Sequence, residues 1–130
     1  MADYFSHLYI GKQAAGMERK IRKAVAKGRN IPGIHLITLA SNGTDQLDIL
    51  PLYYLKQKEL RNRIPVIAGF ANGREEALEI VSQMMTDAFL HTGKCDLRTW
   101  LPEADRAGIL AELTENFAQE AGKGQEEEWQ

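Results

Sequence analysis

The chain has 130 residues, a net charge of −2 and one cysteine, and these values bound the class of protein. The length is that of one domain with its own apolar core. No apolar run reaches the roughly 20 residues that a membrane-spanning helix needs. Cys95 has no second cysteine to pair with, and the first residues (MADYFSH) do not follow the pattern of a signal peptide. The sequence therefore predicts a cytoplasmic protein with no membrane contact.

The N-terminal third predicts a strand followed by a basic helix. Residues 4–10 (YFSHLYI) are aromatic and β-prone, which favours a short strand. Residues 13–27 predict a helix with a narrow apolar stripe and a mostly basic surface, ended by Gly28 and Pro32.

A hairpin is predicted next, at about 34–50. Residues 34–40 (IHLITLA) and 46–50 (QLDIL) indicate two strands, and the Asn42-Gly43 pair between them is a strong hairpin signal. Residues 51–62 then favour a short helix opened by Pro51, with a continuation of the second strand through Tyr54 as the alternative.

The clearest pattern in the chain is an apolar strand at about 65–70 followed by a helix at about 73–92. Asn72 is the predicted N-cap of that helix, with Glu75 three residues later as in a capping box. The sequence leaves open whether the strand at 65–70 pairs parallel or antiparallel with the strand at 46–50.

The C-terminal third predicts a short turn at 97–101 capped by Asp96, then a helix at 103–121 opened by Pro102. Residues 122–130 (GKGQEEEWQ) show no periodicity and predict a disordered acidic tail. Residues 1–121 are then a single α+β domain. It is a small, mostly antiparallel sheet with three to four helices packed mainly on one face.

Charge is distributed unevenly along the chain. Residues 1–65 hold eleven Lys/Arg and five Asp/Glu, whereas residues 66–130 hold five and thirteen. One basic cluster lies on the predicted helix at 13–27, and a second lies at 56–63. If the two clusters face the same way, they form one patch for an anion or a nucleic acid. Tyr53 and Tyr54 beside the second cluster either stack on bases or are half-buried in the core. The candidate contact residues are Arg19, Lys20, Arg22, Lys23, Lys27, Lys56, Lys58, Arg61 and Arg63.

No motif for catalysis, a cofactor or a metal is present, so none of these sites is predicted. His7, His35 and His91 lie far apart without ligand spacing. Three classes of function remain, in this order. The first is a non-catalytic interaction or accessory protein, bound to a protein partner or to itself through its acidic and basic faces. The second is a nucleic-acid-binding module, and the third is a small enzyme built from dispersed residues such as His35, Asp48 and Tyr53.

Overall fold

A four-stranded sheet forms the centre of the computed structural model, which describes residues 2–40 and 45–128, with side chains as far as Gln119. The strand order is β1-β4-β2-β3; β1 pairs parallel with β4, and β2 pairs antiparallel with both of its neighbours. The strands are β1 (Tyr4–Ile10), β2 (Ile34–Leu39), β3 (Leu47–Pro51) and β4 (Ile67–Asn72).

Helices connect and cover these strands. A 3₁₀-helix at Leu52–Lys56 follows β3, and the apolar side chains Leu52 and Leu55 of this segment are buried. The α-helices are α1 (Lys12–Ala15), α2 (Glu18–Lys27), α3 (Lys58–Arg61), α4 (Arg74–Thr92), α5 (Leu97–Arg106) and α6 (Ile109–Glu128).

The two faces of the sheet carry different helices. Tyr9 aligns with Gly69 in the β1–β4 pair, and its ring lies toward α4 and α6: the hydroxyl donates to Asp87 Oδ2 at 2.8 Å, and the ring centre is 6.0 Å from that of Phe117. Successive strand residues alternate between faces, so Phe70 faces the other way. There the guanidinium of Arg22 in α2 lies 5.9 Å from the Phe70 ring centre. The sheet therefore separates the long helices α4 and α6 from the basic helix α2.

The α+β class and the mostly antiparallel sheet are confirmed. The strand at residues 4–10 and the helical interpretation of 51–62 are also confirmed, the latter as two short segments. The helical segments of the described residues outnumber the predicted three to four, because several predicted helices are divided. The helix predicted at 13–27 breaks at Gly16-Met17 into α1 and α2.

The predicted boundary at Pro102 is wrong. Helix α5 continues through Pro102 and ends at Arg106, and the break lies at Gly108, whose φ is 76°. Asp96 does begin this helix, since its side chain accepts from the Thr99 amide at 3.4 Å. The buried face of α5, formed by Leu97, Trp100, Leu101 and Ala104, extends on both sides of the proline, so packing outweighs the missing hydrogen bond.

Two other predictions concern residues that lie partly or wholly outside the described part of the chain. The Asn42-Gly43 turn lies outside the described residues. The backbone of α6 continues to Glu128 where disorder is predicted from residue 122, and side chains from 120 onward lie outside the described residues. The acidic tail as a unit separate from residues 1–121 stays a prediction. Among the described residues, no helix is both long and apolar enough to cross a membrane.

The buried Tyr9 predicts a loss of stability in alkali. Burial, then the hydrogen bond to Asp87 and the charge of Asp87, raise the pKa of Tyr9 well above its ordinary value of 10.0. Its stabilising effect is therefore complete below pH 10.0 and is lost progressively as pH rises toward the higher pKa of the folded state. The urea concentration at the midpoint of unfolding is therefore expected to fall with rising pH above 10.0, and to fall less steeply in Tyr9→Phe than in the wild type.

The control for this experiment is Tyr53→Phe, because Tyr53 is 59% exposed. Burial also raises the pKa of Tyr4, opposed by the charge of Arg22, so Tyr4 destabilises both the wild type and Tyr9→Phe as pH rises. The difference between wild type and Tyr9→Phe is thus the quantity to compare. A Tyr9→Phe variant with the full wild-type decline would contradict the prediction.

Candidate anion-binding cleft

A cleft of about 420 Å³ lies where the basic helix α2 meets α3 and the beginning of β1. Its volume falls in the usual range for ligand sites, roughly 300–1,000 Å³. Of the predicted contact residues, Arg22, Lys58 and Arg61 line it, so the two basic clusters meet here. The full lining is Ala2, Tyr4, Arg22, Val25, Ala26, Lys58, Arg61, Asn62 and Ile64.

Arg22 is held in place by aromatic rings and a carboxylate. Its neighbours Ile21, Ala24 and Val25 are buried and anchor α2. The guanidinium lies 4.6 Å from the Tyr4 ring centre, and its Nε donates to Glu18 Oε2 at 3.1 Å. Stacking on an aromatic face orients the guanidinium. The ion pair with Glu18 is substantially exposed and offsets only part of that charge.

Arg61 carries a buried donor without a partner among the described residues. Its Nε is inaccessible to solvent and makes no hydrogen bond there. The guanidinium packs against Gly28, where a Cβ would lie 2.4 Å from Nη1. Gly28 ends α2 with a φ of 68°, so glycine suits this position both for its backbone and for the space that it leaves. An unpaired buried donor of this kind costs about 1–3 kcal/mol.

The wall of the cleft is mixed in character. Val25, Ile64 and the Tyr4 ring contribute apolar surface, and Lys58 and the Asn62 side chain contribute donors. A cleft of this kind suits a group with an apolar body and at least one negative charge.

The other predicted contact residues surround the cleft without lining it. Arg19, Lys20, Lys23 and Lys27 are exposed on α2. Lys56 and Arg63 are exposed at the two ends of the segment that contains α3. These six side chains extend the positive surface beyond the cleft and attract an anion over a distance of about 8–10 Å at ordinary salt.

The two tyrosines lie outside the core. Tyr53 and Tyr54 are 59% and 41% exposed, because Leu52 and Leu55 turn toward the core and leave the residues between them outside. Both rings are therefore available for stacking beside Lys56.

Sequence reasoning missed Tyr4, Asn62 and Ile64 as parts of the site. Tyr4 and Arg22 are 18 positions apart, and no local pattern joins them. The sequence does contain one indication of the position of Arg61. Gly28 ends a helix and, having no side chain, leaves space beside its Cα, but only the fold shows that Arg61 fills this space.

The dispersed residues considered for an enzyme are not brought together. Asp48 aligns with Thr38, three positions from His35 on β2, so His35 and Asp48 face opposite sides of the sheet. The His35 ring instead contacts the Gly33 carbonyl through Nδ1 at 2.9 Å. Within the described residues, no group of three or more His, Cys, Asp or Glu side chains could hold a metal ion.

Comparison with family models, curated proteins and solved structures finds no match for this chain.

Proposed function

We propose that this protein is a non-catalytic interaction protein that binds an acidic segment of a partner protein in the α2–α3 cleft. The observation that carries the proposal is the meeting of Arg22, Lys58 and Arg61, from two separate stretches of sequence, around one cleft. Arg61 is one of these three lining residues, and its buried Nε has no hydrogen-bond partner among the described residues. A cytoplasmic location belongs to the same proposal and is supported by the single cysteine.

An acidic peptide fits the cleft for two reasons. Carboxylates accept paired hydrogen bonds from guanidinium groups, and such charge-assisted bonds are about twice as strong as neutral ones. An apolar side chain next to the carboxylate would pack against Val25 and Ile64, which line the same cleft. The exposed lysines of α2 would then speed association with the acidic segment.

Single-stranded nucleic acid is the second candidate, favoured by the exposed rings of Tyr53 and Tyr54. These rings lie beside Lys56, and bases stack on aromatic side chains next to positive charge in proteins that bind single strands. The acidic α4 and α6 segments favour the protein partner, because they would repel a long polyanion.

The test is fluorescence anisotropy with labelled acidic peptides, with and without an aromatic residue, and with labelled single-stranded DNA and RNA. Arg61→Gln is expected to weaken peptide binding by roughly tenfold or more, since a hydrogen bond to a charged group contributes about 1.5–3 kcal/mol. Arg63→Gln is the matched control: Arg63 is two residues away, exposed and outside the cleft. Its effect should stay within about threefold.

Several outcomes discriminate between the candidates. Preference for the peptide with an aromatic residue supports the proposal. Preference for single strands, with affinity falling steeply between about 50 and about 200 mM salt and lost in Tyr53→Ala, supports nucleic acid. Equal losses in Arg61→Gln and Arg63→Gln, or no binding of any probe at the lower salt, contradict a site in the cleft.

A further inference from the structure

The charges around the α2–α3 cleft do not balance. Its lining holds three cationic side chains, those of Arg22, Lys58 and Arg61, and no Asp or Glu from the described part of the chain. One carboxylate, that of Glu18, pairs with Arg22 at 3.1 Å from outside the lining. Lys58 and Arg61 form no ion pair with a described residue. Three positive charges less one negative charge leave an excess of two.

The acidic residues nearest in sequence to the lining do not remove this excess. Asp3 lies between Ala2 and Tyr4, which both line the cleft, and side chains alternate in direction along an extended chain. Its carboxylate is therefore directed away from the cleft. Glu59 follows Lys58 on α3, but it is exposed and outside the lining, and consecutive side chains of a helix do not face each other. The six exposed cations around the cleft also outnumber these two acids.

Hydrogen-bond donors reach the cleft from two helices. Of the five N–H donors of Arg22 in α2, Nε donates to Glu18, and the four on the Nη atoms have no partner among the described residues. Lys58 in α3 and the side-chain amide of Asn62, four positions later, add further donors. A phosphomonoester offers three strong acceptor oxygens and close to two negative charges, whereas a carboxylate offers two oxygens and one charge.

We propose that the acidic segment bound in this cleft carries a phosphorylated side chain, and that the cleft takes the doubly charged form of its phosphomonoester. The inference rests on the proposed function and specifies the ligand of the same site. A dianion matches the excess of two positive charges, and a single carboxylate leaves one of them uncompensated. Phosphotyrosine is the expected form, because its ring adjoins the phosphate and would pack against Val25 and Ile64.

The first test is fluorescence anisotropy of one labelled peptide that carries phosphotyrosine, tyrosine or glutamate at a single position, titrated with the full chain. The phosphotyrosine form is expected to bind at least about tenfold more tightly than the glutamate form, because the phosphate makes additional charge-assisted hydrogen bonds. The tyrosine form should bind more weakly than both, since it keeps the ring but has no charge at that position.

The pH dependence of binding tests the charge of the ligand. The second pKa of a phosphomonoester is about 6, so lowering the pH from about 7 to about 5 should weaken binding of the phosphotyrosine form by about fivefold to tenfold. The glutamate form should change little over this range, since the ordinary pKa of its side chain is about 4.3. The described lining contains no histidine, and the titratable groups at the cleft are Tyr4, Arg22, Lys58, Arg61 and Glu18. The glutamate form corrects for any titration of the protein itself.

Arg22→Gln is expected to weaken binding of the phosphotyrosine form by about tenfold or more, and to reduce its advantage over the glutamate form. Arg19→Gln is the matched control, since Arg19 is exposed on the same helix and lies outside the lining, and its effect should stay within about threefold. Lys58→Gln, with Lys56→Gln as its control, repeats the comparison at exposed positions where packing is not altered. Circular dichroism confirms that each variant is folded.

The possible failures are distinguishable. Equal affinity for the phosphotyrosine and glutamate forms, or the same response of both to pH, overturns the phosphomonoester and leaves the acidic-segment site in place. No binding of any form at about 50 mM salt contradicts the proposed function itself. Equal losses in Arg22→Gln and Arg19→Gln overturn the location of the ligand in the cleft. Phenyl phosphate, added as a competitor, separates the two sources of the same chemistry. If it binds as tightly as the phosphotyrosine peptide, the ligand is a small phosphomonoester and the partner segment is overturned.

Discussion

Replacing Glu76 with alanine is expected to lower the free energy of unfolding by about 3 kcal/mol, because the variant loses a buried acceptor shared by two backbone amides. Glu76 is only 8% exposed. Its Oε2 accepts from the Gln13 amide and its Oε1 from the Asn72 amide, both at 3.0 Å. One carboxylate thus ties the connection after β1 to the start of α4. Thermal and urea unfolding would measure the loss, which corresponds to a fall in Tm on the order of 10 °C for a chain of this size.

The matched control is Glu75→Ala, since Glu75 lies in the same turn of α4 but is exposed. That variant loses only a favourable interaction with the helix dipole, about 0.3–1 kcal/mol. Glu76→Gln keeps the shape and one acceptor oxygen but turns an NH₂ group toward a backbone amide, so its stability should lie between those of wild type and Glu76→Ala. Equal losses of unfolding free energy in the two alanine variants would show that the two hydrogen bonds of Glu76 do not stabilise the fold.

At the start of α4, the sequence pattern predicts the correct type of cap but places it one residue too early. The sequence predicts Asn72 as the N-cap with Glu75 reaching back to it. In the structure the N-cap is Gly73, and Glu76 is the side chain that reaches back, to the Asn72 amide. Both glutamates suit a first turn equally well, so propensity alone does not separate them. The choice depends on Gln13 and the nearby Gly11, which are more than 60 positions away in the chain.

The same distinction applies to the sheet and the cleft. The strands at 34–50 and the α4 helix follow from alternation, turn chemistry and helical periodicity, all of which are local. The partners of β4 are not local: it pairs parallel with β1 and antiparallel with β2, although β3 precedes it in the chain. Because β1 and β4 are parallel, their starts lie side by side.

The cleft is a consequence of that pairing. Tyr4 stands near the start of β1, and Ile64 comes just before β4, so parallel pairing brings them together. Helix α2 returns along the face of the sheet toward the same end, where α3 precedes β4 and places Arg61 against Gly28. The sequence identifies both basic clusters, but only the strand order determines that they meet.

Gly69→Ala is expected to be at least as damaging as the loss of Glu76, with about 3 kcal/mol or more lost, because it forces apart the parallel pair on which the cleft depends. Gly69 aligns with Tyr9, and a Cβ on Gly69 would lie 2.5 Å from the Tyr9 carbonyl oxygen. That oxygen belongs to the backbone and cannot rotate away as a side chain can. Either β1 must move away from β4 or the local twist must change, and urea unfolding of the variant would measure the cost.

Gly16→Ala provides the control, since a Cβ at Gly16 meets no heavy atom within 4 Å. With an ordinary backbone φ of −74°, Gly16 should accept alanine neutrally or with a small gain of up to about 1 kcal/mol from reduced freedom of the unfolded chain. A Gly69→Ala variant as stable as Gly16→Ala would mean that β1 can shift without loss. Because β1 carries both Tyr9 and Tyr4, displacement of this strand should also disturb the contact between Tyr4 and Arg22. The two glycine variants therefore link the stability of the sheet to the integrity of the cleft: weakened peptide binding is expected in Gly69→Ala wherever it remains folded, and unchanged binding in Gly16→Ala.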